Sequence, residues 1–263
     1  MENQNQPTLR QVINWAKQAG KIAHDGFLKE HTLGYKSPTD VVTEIDHACE
    51  KLLMSAIQTN FPSHSILTEE TGQVNGDIDN CWFIDPLDGT VNYSHQMPVY
   101  SVSVAFQSGG KLRLGVVYDP ERDECFSAER GKGAWLNDEQ IRVTTCTDLQ
   151  KSLLSTGFPY HSDEKFALNV KYFAHMTRAT QGVRRLGSAA LDICYVGCGR
   201  MDGYWEQEIN AWDIAAGALI VEEAGGIVTG MSGEEDYFKP PYAIIATAPG
   251  IHDGLLRTFN SIH

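Results

Sequence analysis

Two carboxylates three residues apart form the sharpest chemical feature of this sequence. Asp85 follows the apolar run Trp82–Ile84, and Asp88 comes just after Pro86 and Leu87. Proline fixes its own φ at about −65° and biases the preceding residue towards extended geometry, so the chain leaves this run on a defined path. The arrangement can direct both carboxylates and the Leu87 carbonyl oxygen at one point. Hard cations such as Mg²⁺ prefer an all-oxygen set of this kind.

The next two residues are suited to a phosphate group. Gly89 permits a close backbone approach, and its N–H together with that of Thr90 could bind a phosphate, above all if a helix begins here. The alternative is an Asx-type turn whose carboxylates are solvated. For the isolated segment both interpretations stand.

Further acidic residues lie at positions where they could join this pair. Glu69 and Glu70 follow a second short apolar run, Ser65–Leu67, and Asp213 lies at the start of an apolar helical segment. Taken alone, the glutamates are typical of a solvated turn and Asp213 of a helix cap or first-turn charge. Acidic groups at adjacent strand ends repel unless a cation or a proton compensates them, and this favours a shared metal.

Two more carboxylates are weaker candidates. Asp46 lies on the polar side of a predicted helix, where a solvated group is usual, and Glu206 follows an aromatic strand, where it could face a cleft or lie on an edge strand. Gly197–Arg200 lacks the next glycine of a dinucleotide fingerprint, so the pattern does not indicate nucleotide binding there. The sequence also has no P-loop, no G-x-S-x-G elbow and no histidine metal motif.

Apolar periodicity predicts alternating elements that would position these residues. Helices are predicted at about 9–27, 42–57, 164–180, 188–199, 211–224 and from 250 onwards. Strands are predicted at 65–67, 82–84, 182–186, 203–207, 227–229 and 242–247, with a hairpin of 99–107 and 111–118 and a loop at 34–40. No linker composition separates the halves, so one domain over 1–263 is expected, with lobes of about 1–145 and 146–263.

Composition limits the class of protein. The 263 residues are 42% hydrophobic and 21% charged, which is typical of a globular chain. With 21 basic and 34 acidic residues the formal net charge is −13, which argues against broad electrostatic binding to nucleic acid or to an anionic membrane. A phosphorylated substrate stays possible, because bound cations can reverse a local field.

The cysteines and the first residues of the sequence indicate in which cellular compartment the protein is expected. Six cysteines without a CxxC pair are expected to be small buried apolar residues rather than a disulfide framework. The first residues show no secretory signal pattern, and no apolar run approaches the ~20 residues that cross a bilayer. A cytoplasmic protein is expected.

Two signatures make this sequence resemble the inositol monophosphatase family, within the wider group of lithium-sensitive, magnesium-dependent sugar and polyol phosphatases. The first is DPLDGTVNY at Asp85–Tyr93, and the second is WDIAAG at Trp212–Gly217, which runs on to EAGG at Glu223–Gly226. Glu69–Glu70, at the expected distance before the first signature, is a third match. The similarity extends over almost the whole chain.

The resemblance implies an α/β (α+β) fold, an alternating αβαβα layered sandwich that is commonly a homodimer. It implies two to three Mg²⁺ ions per active site. The first would be held by Glu69, Asp85 and the Leu87 carbonyl, the second by Asp85, Asp88 and Asp213, and a weaker third would lie near Glu69.

The family pattern also implies roles in catalysis and substrate binding. Glu69, Asp46 and Thr90 are the implied catalytic residues, of which Thr90 and Asp46 would orient the attacking water. The Gly89 and Thr90 amides would hold the phosphate. The implied contacts of the substrate hydroxyls are Asp88, Gly187, Ser188, Ala189, Glu206 and Asp213. Asn210 stands where animal members often carry histidine and receives no role, and Thr156–Pro159 resembles bacterial members.

The expected activity is hydrolysis of a phosphate monoester, first of all myo-inositol monophosphate, by metal-activated water without a phosphoenzyme. The alternatives are a histidinol-phosphate phosphatase or a broader sugar-phosphate phosphatase. Fructose 1,6-bisphosphate and adenosine 3′,5′-bisphosphate fit less well, because no added basic pocket for a second phosphate is evident. A glycosidase-like carboxylate pair explains neither the Gly-Thr turn nor the number of acids. From a different class, the chain could act as a partner-binding regulator of transcription machinery.

Overall fold

The computed structural model describes residues 6–37, 40–159 and 164–262. The helices are α1 Leu9–Gly26, α2 Glu44–Asn60, α3 Thr90–Ser94, α4 Glu164–Ala179, α5 Ala189–Gly197, α6 Ala211–Glu223 and α7 Pro249–Asn260, with a 3-10 turn at Leu149–Lys151. The strands are β1 Leu33–Ser37, β2 Asp40–Thr43, β3 His64–Thr68, β4 Gly72–Val74, β5 Asp77–Asp88, β6 Ser101–Ser108, β7 Lys111–Asp119, β8 Glu124–Glu129, β9 Ala134–Leu136, β10 Glu139–Gln140, β11 Leu153–Thr156, β12 Gly182–Arg184, β13 Gly203–Gln207, β14 Ile227–Thr229 and β15 Ala243–Thr247.

Two sheets and one hairpin organise these strands. The first sheet has the order β10-β9-β8-β7-β6-β5-β3-β4, and in it β3 and β5 run parallel while the other pairs are antiparallel. The second sheet has the order β12-β11-β13-β15-β14. Strands β1 and β2 form a separate antiparallel hairpin. Because β3 and β5 are parallel neighbours, their carboxyl ends lie side by side.

Three apolar clusters show how the layers stack. Helices α1 and α2 pack on one face of the first sheet, where Trp15 and Leu53 meet Trp82. Helices α5 and α6 lie between the two sheets, and α4 and α7 cover the outer face of the second, where Met176 and Phe259 lie against the second-sheet strands. The order is therefore helix, sheet, helix, sheet, helix, which confirms the predicted αβαβα sandwich.

Small residues let the middle layer approach the first sheet closely. A Cβ on Gly115 of β7 would stand 2.8 Å from the carbonyl oxygen of Ala216, so the strand and α6 can meet only where the strand has no side chain. Ala215, Ala216 and Ala218 of α6 are all fully buried. This close packing fixes the start of α6, and with it Asp213, against the first sheet.

Most predicted elements are confirmed, and the differences are local. Residues 34–40 were expected to form a loop, but Leu33–Ser37 and Asp40–Thr43 pair as a hairpin whose connection, residues 38 and 39, lies outside the described part. The Gly, Ser, Pro and Asp content hid the strand-forming residues Tyr35, Val41 and Val42, of which Tyr35 pairs with Val41 across the hairpin. Strand β5 also begins earlier than predicted, at Asp77.

The six cysteines are free. Cys49, Cys125 and Cys194 are buried as expected, whereas Cys81, Cys146 and Cys198 are only partly buried. Among the described residues, no helix carries an apolar stretch long enough to span a bilayer. The division into lobes near residue 145 stays a prediction.

Candidate active site

The carboxyl end of β5 delivers the first two carboxylates into the interior. Asp85 is 2% exposed and Asp88 8%. Asp85 Oδ1 accepts a hydrogen bond from the Leu87 N–H at 3.0 Å, so the Asx turn considered from the sequence does form. The expectation of solvation that went with that turn is wrong, because the sheet continues through these residues and buries them.

Glu69 lies beside Asp85 at the end of the neighbouring strand. Its N–H donates to the Ile84 carbonyl at 3.2 Å, which extends the pairing of β3 with β5 by one residue. The two carboxyl groups are close enough for a hydrogen bond between them. Burial raises the pKa of both carboxyl groups; the charge of Glu69 adds to the rise at Asp85, whereas Lys36 and the contact with Asp85 oppose it at Glu69. The expectation of a solvated turn is wrong for Glu69.

Asp213 reaches the same place from the middle layer. It lies in the first turn of α6 and its Oδ2 accepts from the Asn210 N–H at 2.9 Å, so the predicted first-turn role is confirmed. The Ser103 hydroxyl donates to the Trp212 carbonyl at 3.2 Å, and Ser103 pairs with Asp85 across β6 and β5. This bond places the start of α6 beside the end of β5.

Electrostatics show that these carboxylates form one cluster. Burial raises the pKa of Asp85 and of Asp213 well above the usual range, and the charges of the other acids raise both further. Burial also raises the pKa of Asp88, opposed by its hydrogen-bond donors. Each group resists ionisation unless a cation compensates it. The cluster therefore has a strong demand for positive charge.

A lysine meets part of that demand. Lys36 of β1 places its Nζ 2.9 Å from Glu69 Oε1 and 2.7 Å from Glu70 Oε1. Burial lowers the pKa of Lys36, but the charge of Glu69 and the hydrogen bonds to both glutamates outweigh it, and the net change is upward. The β1–β2 hairpin thus places the positively charged side chain of Lys36 at the edge of the acidic cluster.

The donor chemistry of the cluster fits a hard divalent cation, since it consists of carboxylates and the Leu87 carbonyl. Within residues 6–37, 40–159 and 164–262, however, no three Asp, Glu, His or Cys side chains stand ready to hold one ion. Asp88 illustrates why: both of its oxygens face the start of α5. Cation binding therefore requires side-chain rearrangement in a cluster whose composition already suits it.

Thr90, which is partly buried, and Asp46, which is buried, form a hydrogen-bonded pair next to Leu87. The Thr90 hydroxyl lies 2.9 Å from Asp46 Oδ1 and 3.0 Å from the Leu87 carbonyl oxygen. Asp46 is fully buried, so the expectation of a solvated carboxylate is wrong: α3 and β2 cover that side of α2. Asp46 Oδ2 also accepts from the N–H and the hydroxyl of Thr43, which caps α2. Burial raises the pKa of Asp46, and the bonds from Thr43 and Thr90 oppose the rise.

Gly89 allows several segments to meet at this point. Its φ of +95° is in the left-handed region, and a Cβ there would stand 2.9 Å from the Val99 carbonyl oxygen and 3.1 Å from that of Gly187. The Asn92 side-chain amide ties the same segments together through bonds of 2.8 Å to the carbonyl oxygens of Val99 and Leu186. Gly89 and Gly187 are thereby brought together, although they lie far apart in the sequence.

The predicted hydroxyl-binding residues at the start of α5 gather around Asp88. The Ser188 hydroxyl donates to Asp88 Oδ2 at 2.6 Å, the Ala190 N–H donates to the same oxygen at 2.8 Å, and the Ala189 N–H donates to Oδ1 at 3.2 Å. Asp88 thus anchors the first turn of α5 to the end of β5. The structure places Gly187, Ser188 and Ala189 at the cluster, with two of their donors occupied by Asp88.

Glu206 completes the arrangement from the second sheet. Strand β13 lies in the middle of that sheet and Glu206 is 9% exposed, so an edge-strand position is wrong. The Tyr204 hydroxyl donates to its carboxylate. Burial raises the pKa of Glu206 to about 7; Asp88 adds to this, whereas the Tyr204 hydrogen bond and Arg185 oppose it.

Comparisons with known proteins agree with this geometry. The model of the inositol monophosphatase family matches residues 4–263. The chain belongs to the inositol monophosphatase family. It is 43% identical over 254 residues to the Nus factor SuhB of Pasteurella multocida, covering 95% of both chains, and 50% identical over 192 residues to the inositol-1-monophosphatase of Synechocystis sp., covering 72% of this chain and 67% of the relative. The solved inositol monophosphatase of Anabaena (Nostoc) sp. matches with a TM-score of 0.86 and 41% identity over 97% of this chain and 96% of that one.

Membership of the inositol monophosphatase family confirms the resemblance read from the two signatures. The roles of individual residues stay predictions. Sequence reasoning missed Lys36, Tyr204 and Glu50. Glu50 is buried, and its carboxylate accepts from the Thr68 hydroxyl at 2.6 Å, from the Glu70 N–H at 3.0 Å and from the Thr71 hydroxyl. It fixes the turn that carries Glu69, and its place one helical turn after Asp46 was the available signal.

Proposed function

We propose that this protein hydrolyses a phosphate monoester with the help of Mg²⁺, and that myo-inositol monophosphate is the first candidate substrate. Membership of the family supports a phosphatase. The observation that carries the proposal is the meeting of four carboxyl groups, on Glu69, Asp85, Asp88 and Asp213, beside the Gly89–Thr90 turn, with each of them raised in pKa. Such a cluster attracts divalent cations, and bound cations in turn attract a negatively charged phosphate group.

The residues that would hold Mg²⁺ follow from the family pattern. Glu69, Asp85 and the Leu87 carbonyl would hold one ion, Asp85, Asp88 and Asp213 a second, and Glu69 a weaker third. When bound, the ions would supply charge stabilisation of the phosphoryl group and activation of water near neutral pH. Lys36 would leave Glu69 as this happens, because both cations need the same carboxylate.

The protein's own groups would align the reactants. The Thr90 hydroxyl can donate a hydrogen bond to Asp46 Oδ1. Its oxygen then has a lone pair free to accept a hydrogen bond from the attacking water. The N–H groups of Gly89 and Thr90 would hold the phosphate. Because phosphoryl transfer needs little covalent help, such positioning supplies much of the rate.

The hydroxyls of the substrate would meet acceptors on the opposite wall. Asp88, Glu206 and Asp213 are acceptors for hydroxyl groups when ionised. Gly187 lies beside Gly89, and Ser188 and Ala189 lie at Asp88. A polyol phosphate suits this lining, whereas an aryl phosphate has nothing to offer these acceptors. Histidinol phosphate and other sugar phosphates are the alternative substrates.

A phosphate-release panel tests the proposal. It compares myo-inositol 1-phosphate, histidinol phosphate, fructose 1,6-bisphosphate and adenosine 3′,5′-bisphosphate, each with Mg²⁺ and with a chelator, and scores inhibition by lithium. We expect the fastest release from the inositol ester and none in chelator. Release that is equally fast in chelator would contradict the proposal.

A second function is favoured by one comparison. A relative that covers 95% of this chain is named Nus factor SuhB, so we also propose an association with transcription machinery. Capture of RNA polymerase components by the tagged protein, with a folded variant lacking phosphate release as a second bait, separates the two functions. Equal capture by both baits supports an independent role, and no capture by either rejects it.

The physical setting also stays a proposal. We propose a cytoplasmic homodimer that binds neither nucleic acid nor an anionic membrane, because the net charge of −13 disfavours both. Sedimentation at several protein concentrations tests the dimer. A single species with the mass of one chain at every concentration would reject it.

We expect Mg²⁺ to stabilise the protein more at high pH than at low pH. The folded-state pKa values of Glu69, Asp85, Asp88 and Asp213 are raised, so the folded protein keeps protons that the unfolded chain loses above about pH 4. Stability without metal therefore falls as the pH rises, and Mg²⁺ replaces those protons.

At a Mg²⁺ concentration about 100 times its dissociation constant at about pH 8, the midpoint of thermal unfolding should rise by about 5–10 °C at that pH, and the same concentration should raise it clearly less at about pH 5. Potassium chloride at equal ionic strength is the control. An equal shift by Mg²⁺ at the two pH values would contradict the linkage.

A further inference from the structure

The wall against which Glu206 rests is built from backbone. A Cβ placed on Gly157 would overlap the Glu206 carboxylate, so the backbone of Gly157 lies directly against that group. The carboxylate also accepts a hydrogen bond from the Tyr204 hydroxyl. The orientation of the Glu206 oxygens therefore depends on where the segment after β11 lies.

One side chain from the outer helical layer holds that segment. Asn169 of α4 is fully buried and donates its Nδ2 to the Gly157 carbonyl at 2.7 Å. Its Oδ1 accepts from the Trp205 indole Nε1, also at 2.7 Å. Asn169 thus bridges Gly157, which lies against Glu206, and Trp205, which precedes Glu206 in β13. We call these two bonds the Asn169 bridge.

A third bond links the same two segments without Asn169. The Thr156 hydroxyl lies 2.7 Å from the Trp205 carbonyl oxygen and 3.1 Å from that of Gly157. It holds the backbones of β11 and β13 in place, but it leaves the distance between the Gly157 carbonyl and α4 unrestrained. The Asn169 bridge restrains that distance at the Gly157 carbonyl itself, beside the ring contacts that the next residue, Phe158, makes with Phe166 and Phe173 of α4.

We propose that Asn169 is a positioning residue for substrate selectivity: its bridge holds the Gly157 backbone against Glu206, so the carboxylate presents a fixed face to a substrate hydroxyl. The inference rests on the proposed function, in which Glu206 accepts that hydroxyl. The two side-chain bonds of Asn169 go to Gly157 and Trp205, and neither partner belongs to the carboxylate cluster or to the Gly89–Thr90 turn. It therefore affects recognition of the alcohol part and leaves phosphate chemistry alone.

The test compares two esters that share the phosphate and differ in the alcohol. Myo-inositol 1-phosphate carries hydroxyls for Glu206, and phenyl phosphate carries none. Asn169→Leu removes both bonds of the bridge, whereas Asn169→Asp keeps an acceptor for Trp205 and loses the donor to Gly157. Gly157→Ala acts at the other end, because its Cβ displaces the carboxylate directly. Thr177→Ala is the control on the same helix, since that hydroxyl donates to the Phe173 carbonyl one turn earlier.

We expect the ratio of kcat/KM for the inositol ester to that for phenyl phosphate to fall about 10- to 100-fold in the Asn169 variants and in Gly157→Ala, because displacement of a substrate-positioning group by about 1 Å can cost 100-fold. The ratio should stay unchanged in Thr177→Ala. A purely structural role would lower both kcat/KM values alike and keep their ratio. If Asn169→Leu does not fold, the same ratio is measured in Asn169→Asp and Gly157→Ala, and the same fall is expected there.

A double variant shows whether Asn169 acts through Glu206. Asn169→Asp in a Glu206→Gln background should lower the ratio no further than Glu206→Gln alone. Two results would overturn the inference while the proposed function stands. One is a double variant in which the separate effects of Asn169→Asp and Glu206→Gln on the kcat/KM ratio multiply. The other is a set of folded Asn169 variants that keep the wild-type ratio. A wild-type protein that releases phosphate from neither ester with Mg²⁺ would reject the proposed function, and the inference with it.

Discussion

Asp85→Asn is expected to abolish turnover while it stabilises the metal-free protein. Asp85 would contact two of the ions, so loss of its charge should lower kcat/KM by about a thousandfold or more, at a cost of some 4 kcal/mol of transition-state stabilisation. The amide keeps an oxygen for the Leu87 N–H, so the turn after β5 should survive.

Stability should change in the opposite direction. Asp85 is repelled by Glu69, Asp88 and Asp213, and its removal relieves that repulsion. In chelator at about pH 8 we expect the free energy of unfolding to rise by about 1–2 kcal/mol. Phosphate release at saturating Mg²⁺ and urea unfolding in chelator are the two measurements.

Asp236→Asn is the matched control, because it removes one negative charge from an exposed ion pair with Lys239. It should alter neither quantity appreciably. A folded Asp85→Asn protein that hydrolyses its substrate at a rate near that of the wild type would refute the assignment of this cluster.

Thr90→Val should lower kcat by about a hundredfold or more, because it removes the hydroxyl that, in the proposed mechanism, would link Asp46 to the attacking water. Valine has the shape of threonine but leaves Asp46 Oδ1 and the Leu87 carbonyl without their donor. That loss should also lower the free energy of unfolding by about 1–3 kcal/mol. Steady-state phosphate release at saturating Mg²⁺ gives kcat and KM separately.

Two further variants separate catalysis from stability. Thr90→Ser keeps the hydroxyl and should retain kcat within about tenfold of the wild type. Thr8→Ala removes the cap of α1, far from the site, and should lower stability by about 1 kcal/mol without changing kcat. Equal kcat values for the valine and serine variants would show that the Thr90 hydroxyl has no part in the reaction.

The ends of the central strands could be predicted from the sequence because their signals are local. Short apolar runs before Glu69 and Asp85 indicated buried strands, and Pro86 fixed the path out of the second one. The long apolar segment after Asp213 indicated a buried helix. These patterns, with the two signatures, were enough for the family and for the layered fold.

The environments of the weaker candidates could not be predicted, because they depend on distant contacts. Asp46 is buried in part because Thr90, 44 residues away in the chain, lies against it. Glu206 is central because β13 runs between β11 and β15, an order that strand patterns do not reveal. Asp88 was expected to face a cation, yet its oxygens hold the start of α5, about a hundred residues later in the chain.

Anomalous diffraction from crystals grown with Mn²⁺ in place of Mg²⁺ tests the central claim most directly. The account predicts manganese peaks about 2.0–2.3 Å from carboxylate oxygens of Asp85, one reaching Glu69 and the Leu87 carbonyl and another reaching Asp88 and Asp213. It also predicts that Asp88 and Lys36 have turned from their present partners. Crystals of active protein that show ordered Mn²⁺ only elsewhere, with this cluster unchanged, would contradict it.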